Sequence, residues 1–209
     1  MEGLQNTLTD RLYNFIIGLV LLWGFGINIL ICNIDFTTIH MDIGPICIAG
    51  TILMFAGVII SAKSQNPLIS FLGYNLVVIP IGFMLNNILQ GQDAAVIKET
   101  CVITAVVTII LIVLGSIFPG VFLSMRRILF ISLLSILIVE FLFLFLGYSN
   151  SSLDWITALI FCGYIGYDWA RAQRKPKTLD NAIDSVVELY LDIINLFLRL
   201  MGKRGKKSK

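Results

Sequence analysis

Seven long apolar runs, separated by short polar breaks, leave this chain few ways to fold. They cover about 12–32, 43–62, 68–89, 101–123, 128–147, 153–170 and 182–201. A helix needs about 20 apolar residues to cross the ~30 Å hydrocarbon core of a bilayer. The breaks carry polar and turn residues, among them Asn33-Ile34-Asp35, Lys63-Ser64-Gln65-Asn66-Pro67, Gln90-Gly91-Gln92-Asp93 and Pro119-Gly120 ahead of Arg126-Arg127. Composition agrees, with 57% hydrophobic and only 13% charged residues in a chain of 209. A soluble domain carries about 25% charged residues. The runs leave only short loops, which excludes a Rossmann domain, a large catalytic head or a nucleic-acid module. The predicted fold class is all-α: a polytopic membrane protein with seven transmembrane helices in one integral domain, 1–209, ending in a basic tail at 202–209.

A β-barrel is the rival membrane architecture, but its strands alternate apolar and polar over about 10 residues. Uniform stretches such as Phe141-Leu142-Phe143-Leu144-Phe145-Leu146 do not alternate. The start carries Glu2 and Asp10 and no basic leader region, so the first run is expected to be retained as a helix rather than cleaved.

Basic residues set the orientation, because cytoplasmic loops are enriched in Lys and Arg. Counting sides by alternation, one side holds Arg11, Lys63, Arg126, Arg127, Arg171, Arg174, Lys175 and Lys177. The other holds only Lys98 before the tail. The first side is expected to be cytoplasmic, with the N-terminus inside. The tail residues Lys203, Arg204, Lys206, Lys207 and Lys209 then lie outside if segment seven crosses, or inside if it enters and returns or only partly inserts. Anionic lipid headgroups are the expected partner of that tail, not nucleic acid.

Segment seven carries Asp184, Glu188 and Asp192 at spacing four. On a helix this spacing makes one stripe, and Asn195 and Arg199 continue it. Each ionised group near the bilayer centre costs about 2.5–3.5 kcal/mol on insertion scales. The stripe must therefore face protein, water or a bound cation, which puts this segment inside the bundle. Asp168 stands two residues before the cytoplasmic end of segment six. It either reaches interfacial water beside Trp169 or meets an acid of segment seven across the short loop. Glu140 lies deep in segment five, turned inward or protonated. Glu99 opens segment four, where a helix N-terminus favours an acid. Lys63, at the cytoplasmic end of segment two, either snorkels or pairs with Asp168. Pro80 interrupts segment three, as a packed kink or a pore hinge.

Cys32, Cys47, Cys101 and Cys162 are scattered and form no Cys-x-x-Cys pair, so they are expected to be core thiols rather than a zinc or redox site. His40, the only histidine, sits in the first loop. No nucleophile-base-acid set or phosphate-binding glycine loop is present, and no permanently bound cofactor is expected.

The block Glu188-Leu189-Tyr190-Leu191-Asp192-Ile193-Ile194-Asn195-Leu196-Phe197 resembles the last segment of the Bax inhibitor family, as does the layout of the seven segments. Tyr167-Asp168 matches that family's aspartate at the end of segment six. The resemblance implies a seven-helix fold with the last helix central. It also implies a pH-sensitive calcium leak with Asp168 and Asp192 as paired aspartates and calcium ligands. Asp184 and Glu188 depart from the family's mostly uncharged pattern and make the path more acidic.

The chemistry of the residues fits that reading, since calcium prefers oxygen ligands. Asp184, Glu188, Glu140 and Asn195 are the expected ion pathway, Asp168 and Asp192 the proton sensor and gate. Calcium and protons are then the expected partners, calcium as transported ion, and a bacterial cell membrane the expected location. The same acids also suit a proton-coupled exchanger or a non-conducting regulator of cell-death or quality-control factors. An intramembrane aspartyl protease is disfavoured: Asp192 follows Tyr190-Leu191, not Gly-x-Gly, so the chain is not expected to be an enzyme.

Overall fold

The computed structural model describes residues 7–34, 43–146 and 152–205, with side chains described for 7–34, 48–146 and 153–202. Its described residues form helices and no strands. In chain order these are α1 (Asp10–Cys32), α2 (Ile43–Lys63), α3 (Pro67–Leu89), α4 (Ala94–Ile117), α5 (Pro119–Ser124), α6 (Arg126–Phe145), α7 (Ser152–Ala172) and α8 (Leu179–Gly205). Six of the seven apolar runs are found as single helices and the fourth as two, α4 and α5. α1, α3, α4 and α6 are long and apolar enough to cross a membrane, and α2 is apolar from Ile48 to Lys63.

Helices α1, α3 and α4 start where side chains can satisfy their free N–H groups. Thr9 caps α1, accepting from the Leu12 amide. Asn66 caps α3 ahead of Pro67 at its first position. Asp93 caps α4, its Oδ1 2.9 Å from the Ala95 amide. This moves the start of α4 ahead of the expected one, so Glu99 lies in the second turn and does not open the helix. The fourth run is also divided. Phe118 ends α4 and Pro119 begins α5, so the apolar stretch 101–123 is not one helix. A proline has no N–H to donate and restricts the residue before it, which ends α4 there. α3, by contrast, runs through Pro80 unbroken.

The chain divides into two compact units. The first comprises Met1–Gly91 with Lys175–Tyr190, and thus α1, α2, α3 and the first part of α8. Here α2 and α3 approach very closely. A Cβ on Gly57 would lie 2.5 Å from the Gly73 carbonyl oxygen, and one on Gly73 2.7 Å from the Gly57 oxygen. Asn86 of α3 donates from Nδ2 to the carbonyls of Ile31, Cys32 and Ile34, closing the C-terminal end of α1. The Asn28 amide of α1 meets the Tyr190 hydroxyl of α8, against which Tyr74 stacks edge-on.

The second unit comprises Gln92–Arg174 with Leu191–Lys209. α4, α5 and α6 pack against α7. The Gly115 and Gly166 backbones approach closely enough that a Cβ on Gly115 would sit 2.9 Å from the Gly166 oxygen. Thr100, Thr104 and Thr108 form a buried row on α4. The outer surfaces are apolar: Ile128, Phe130, Ile131 and Phe141 of α6 are all exposed, as suits helices facing lipid.

α8 is the helix that burial singles out. Ala182, Ile183, Val186, Val187, Leu189 and Tyr190 are buried in the first unit, and Ile193, Ile194, Leu196, Phe197 and Met201 in the second. It is one uninterrupted helix of 27 residues, about 40 Å long at 1.5 Å per residue. It runs past the expected end at Met201, and it does not turn back within the segment.

Candidate functional site

The two aspartates singled out in segments six and seven lie in the second unit. Asp168 of α7 and Asp192 of α8 are each only 7% exposed. Both act electrostatically on the Tyr164 hydroxyl, which stands one turn before Asp168 on α7. Asp168 therefore does not reach out to interfacial water. Its neighbour Trp169 is buried too, and donates from Nε1 to the Ser116 hydroxyl of α4 at 2.7 Å. Arg171 lies 3.8 Å from Asp168 through Nη1, with its guanidinium 5.6 Å over the Tyr167 ring. Arg171, a cytoplasmic charge in the sequence, is thus also the cation beside Asp168. Lys63, the other basic residue considered for Asp168, is exposed at the C-terminal end of α2.

The other acids of the stripe have different partners. In the first unit Asp184 accepts from the Ser61 hydroxyl of α2 at 2.7 Å. Glu188 pairs with Lys175 at 3.5 Å. Asp180, one turn before Asp184 and not anticipated from the sequence, is buried and accepts from Ser70 of α3 at 2.7 Å. Lys177, in the loop before α8, lies 4.4 Å over the Tyr13 ring and 3.9 Å from Asp10. Burial pushes its ammonium below the ordinary lysine value, and Asp10 opposes that shift.

In the second unit Asn195 donates to the Leu191 carbonyl of its own helix. Glu140 is not free. Arg199 holds it through two bonds, Nη1 to Oε1 at 2.6 Å and Nη2 to Oε2 at 2.9 Å. Arg199 also approaches Asp154 at 3.4 Å, and Thr157 donates toward Glu140 at the same distance. Asp154 had drawn no attention in the sequence, although its position at the start of an apolar helix was a usable signal.

Among the described residues no group of three or more His, Cys, Asp or Glu side chains is arranged to hold a metal ion. Calcium takes six to eight oxygen ligands, so the two aspartates supply part of a shell at most. Among the cysteines, Cys101 is exposed and Cys32 and Cys162 are half-buried, so the expectation of core thiols fails for Cys101. That residue faces outward on a helix suited to lipid. His40, Lys206, Lys207 and Lys209, and the side chains of Cys47, Lys203 and Arg204, lie outside the described residues.

Residues 5–208 match the profile of the family described as inhibitor of apoptosis-promoting Bax1. The chain belongs to the Bax inhibitor family. It is 30% identical over 139 residues to a BI1-like protein of Arabidopsis thaliana, covering 61% of this chain and 54% of that one. It is 31% identical over 83 residues to an uncharacterized membrane protein of Vibrio cholerae, 39% of this chain and 36% of that protein. Protein LIFEGUARD 1 of Arabidopsis thaliana is 40% identical over 77 residues, covering 35% and 32%. These matches span about half of the first relative and about a third of the other two. As a Bax inhibitor family member with several apolar helices, the chain is an integral, multi-pass membrane protein.

Proposed function

We propose that this Bax inhibitor family protein is a pH-sensitive calcium leak gated by Asp168 and Asp192. The observation that carries the reading is the burial of these two carboxylates on α7 and α8, both acting on Tyr164. Two like charges in one low-dielectric site resist being ionised together. At low pH the pair keeps a shared proton, which holds α7 and α8 together and closes the path. As pH rises the proton leaves, the carboxylates repel, and the path opens. The sign is therefore more flux at higher pH.

Calcium in this scheme is cargo, passing partly hydrated over carboxylate oxygens. Within the first unit Asp184 and Glu188 supply further carboxylate oxygens for the cation, and within the second Glu140 and Asn195 supply further polar groups. Ions moving down their gradient distinguish a leak from an exchanger, in which an imposed proton gradient drives calcium uphill. The basic loops face the cytoplasm, the basic tail contacts anionic headgroups, and the location is a bacterial cell membrane.

The test is calcium flux in liposomes against pH for the native chain, Asp168→Asn and Asp192→Asn. Loss of the pH response in both variants is expected. Native flux with a native pH response in both means the pair is not the gate. A second reading, a non-conducting regulator of another membrane protein, is favoured by the family's description as an inhibitor of Bax1. Zero flux together with a copurifying membrane protein decides for it.

A further inference from the structure

We infer that the cluster of Arg199, Glu140 and Asp154 is an autoinhibitory clasp closing the far end of a polar seam between α7 and α8. On α7, Asp154, Thr157, Tyr164 and Asp168 recur at spacings of three, seven and four, which puts all four on one face. On α8, Asp192, Asn195 and Arg199 do the same. The two faces touch at one end, where Arg199 lies 3.4 Å from Asp154, and toward the other end Asp192 is within electrostatic range of Tyr164. Residue numbers rise along α8 as they fall along α7, so the helices run antiparallel along this seam. The ten residues from Asp154 to Tyr164 span about 15 Å at helical rise.

The clasp sits where a cation following that seam would leave or enter it. A fixed guanidinium there is an electrostatic barrier to a cation. The same cluster holds two carboxylates against one guanidinium, so moving Arg199 aside exposes negative charge. Arg199 also has partners on two helices, Glu140 on α6 and Asp154 on α7. Release from one partner leaves the other in reach, so the clasp loosens without stranding an unpaired charge in a partly buried site. Its partners lie on different helices, so relative movement of α6 and α7 controls it.

This inference rests on reading the seam as the cation's path, and its test has a readout independent of calcium. Asn195→Cys is introduced into a chain whose four native cysteines are replaced by alanine. Labelling by a membrane-impermeant thiol reagent, added on the side of the α6–α7 connection, is then timed in liposomes. With Arg199→Gln added, labelling is expected to be about tenfold faster, the factor given by about 1.4 kcal/mol of lost closure. Glu140→Gln leaves Arg199 on Asp154 and is expected to give an intermediate rate. If Arg199→Gln does not fold, Glu140→Gln decides alone. Rates equal to those of the parent overturn the clasp. Calcium flux in the same liposomes keeps the two readings apart. Faster labelling with no flux from any variant retains the clasp and sinks the leak. Flux with unchanged labelling does the reverse.

Discussion

Arg199 grips Glu140 with two parallel N–H···O bonds, at 2.6 and 2.9 Å, across 59 residues of chain. A bidentate pair of this kind is stronger than a single neutral bond and fixes orientation as well. Both side chains are about a quarter exposed, 26% and 25%. Removing one partner of a fully buried pair costs about 3–5 kcal/mol. Exposure screens this pair, so Glu140→Leu is expected to cost roughly 2 kcal/mol. Adding Arg199→Leu should recover part of that loss. Thermal unfolding in detergent, run as a double-mutant cycle, measures the coupling, and additive effects would show that the pair does not hold α6 to α8.

The glycine contact between α2 and α3 gives a steric prediction. Gly57→Ala places a methyl 2.5 Å from a backbone oxygen, which no side-chain movement relieves. Overpacking of this kind costs typically 1–3 kcal/mol, so a clear fall in melting temperature is expected. Gly18, with nothing within 4 Å of an added Cβ, is the control. Gly18→Ala should be neutral or stabilising by up to about 1 kcal/mol, since alanine is the better helix former. Equal melting temperatures for the two variants would mean that the α2–α3 approach is looser than described.

Asn86 makes a third point of attack. Its amide satisfies carbonyls at the end of α1 from the neighbouring helix α3. Asn86→Leu removes this side-chain donor from all three oxygens, leaving Ile31 the Ile34 amide, at a cost of about 1–3 kcal/mol for a buried group. Hydrogen exchange should then accelerate in the last turn of α1 and hardly at all in α6. Uniform acceleration of both helices would argue against a local cap.

The helices were legible because lipid demands long apolar runs, and each run is visible in the chain without any partner. Pro119-Gly120 marked the end of the fourth run, but only the backbone showed that Pro119 restarts a short helix. The stripe of α8 was legible from spacing alone, because Asp184, Glu188 and Asp192 are anomalous wherever that helix packs. What answers each acid was not legible. Ser61 lies 123 positions from Asp184 and Ser70 lies 110 from Asp180, and a serine carries no sequence signal for an acid so distant. Arg171 was hidden differently, since a basic residue after an apolar run reads as an orientation signal before it reads as a counter-ion.

In the proposed mechanism Asp168 and Asp192 share a proton whose loss opens the path. Infrared spectroscopy of the protein in lipid, titrated from acid to neutral pH, observes that proton directly as a protonated-carboxyl band. The expected result is a band that disappears over the pH interval in which calcium flux rises, and that is absent from Asp168→Asn and Asp192→Asn. A band of equal size and equal pH dependence in the native chain and both variants would contradict it.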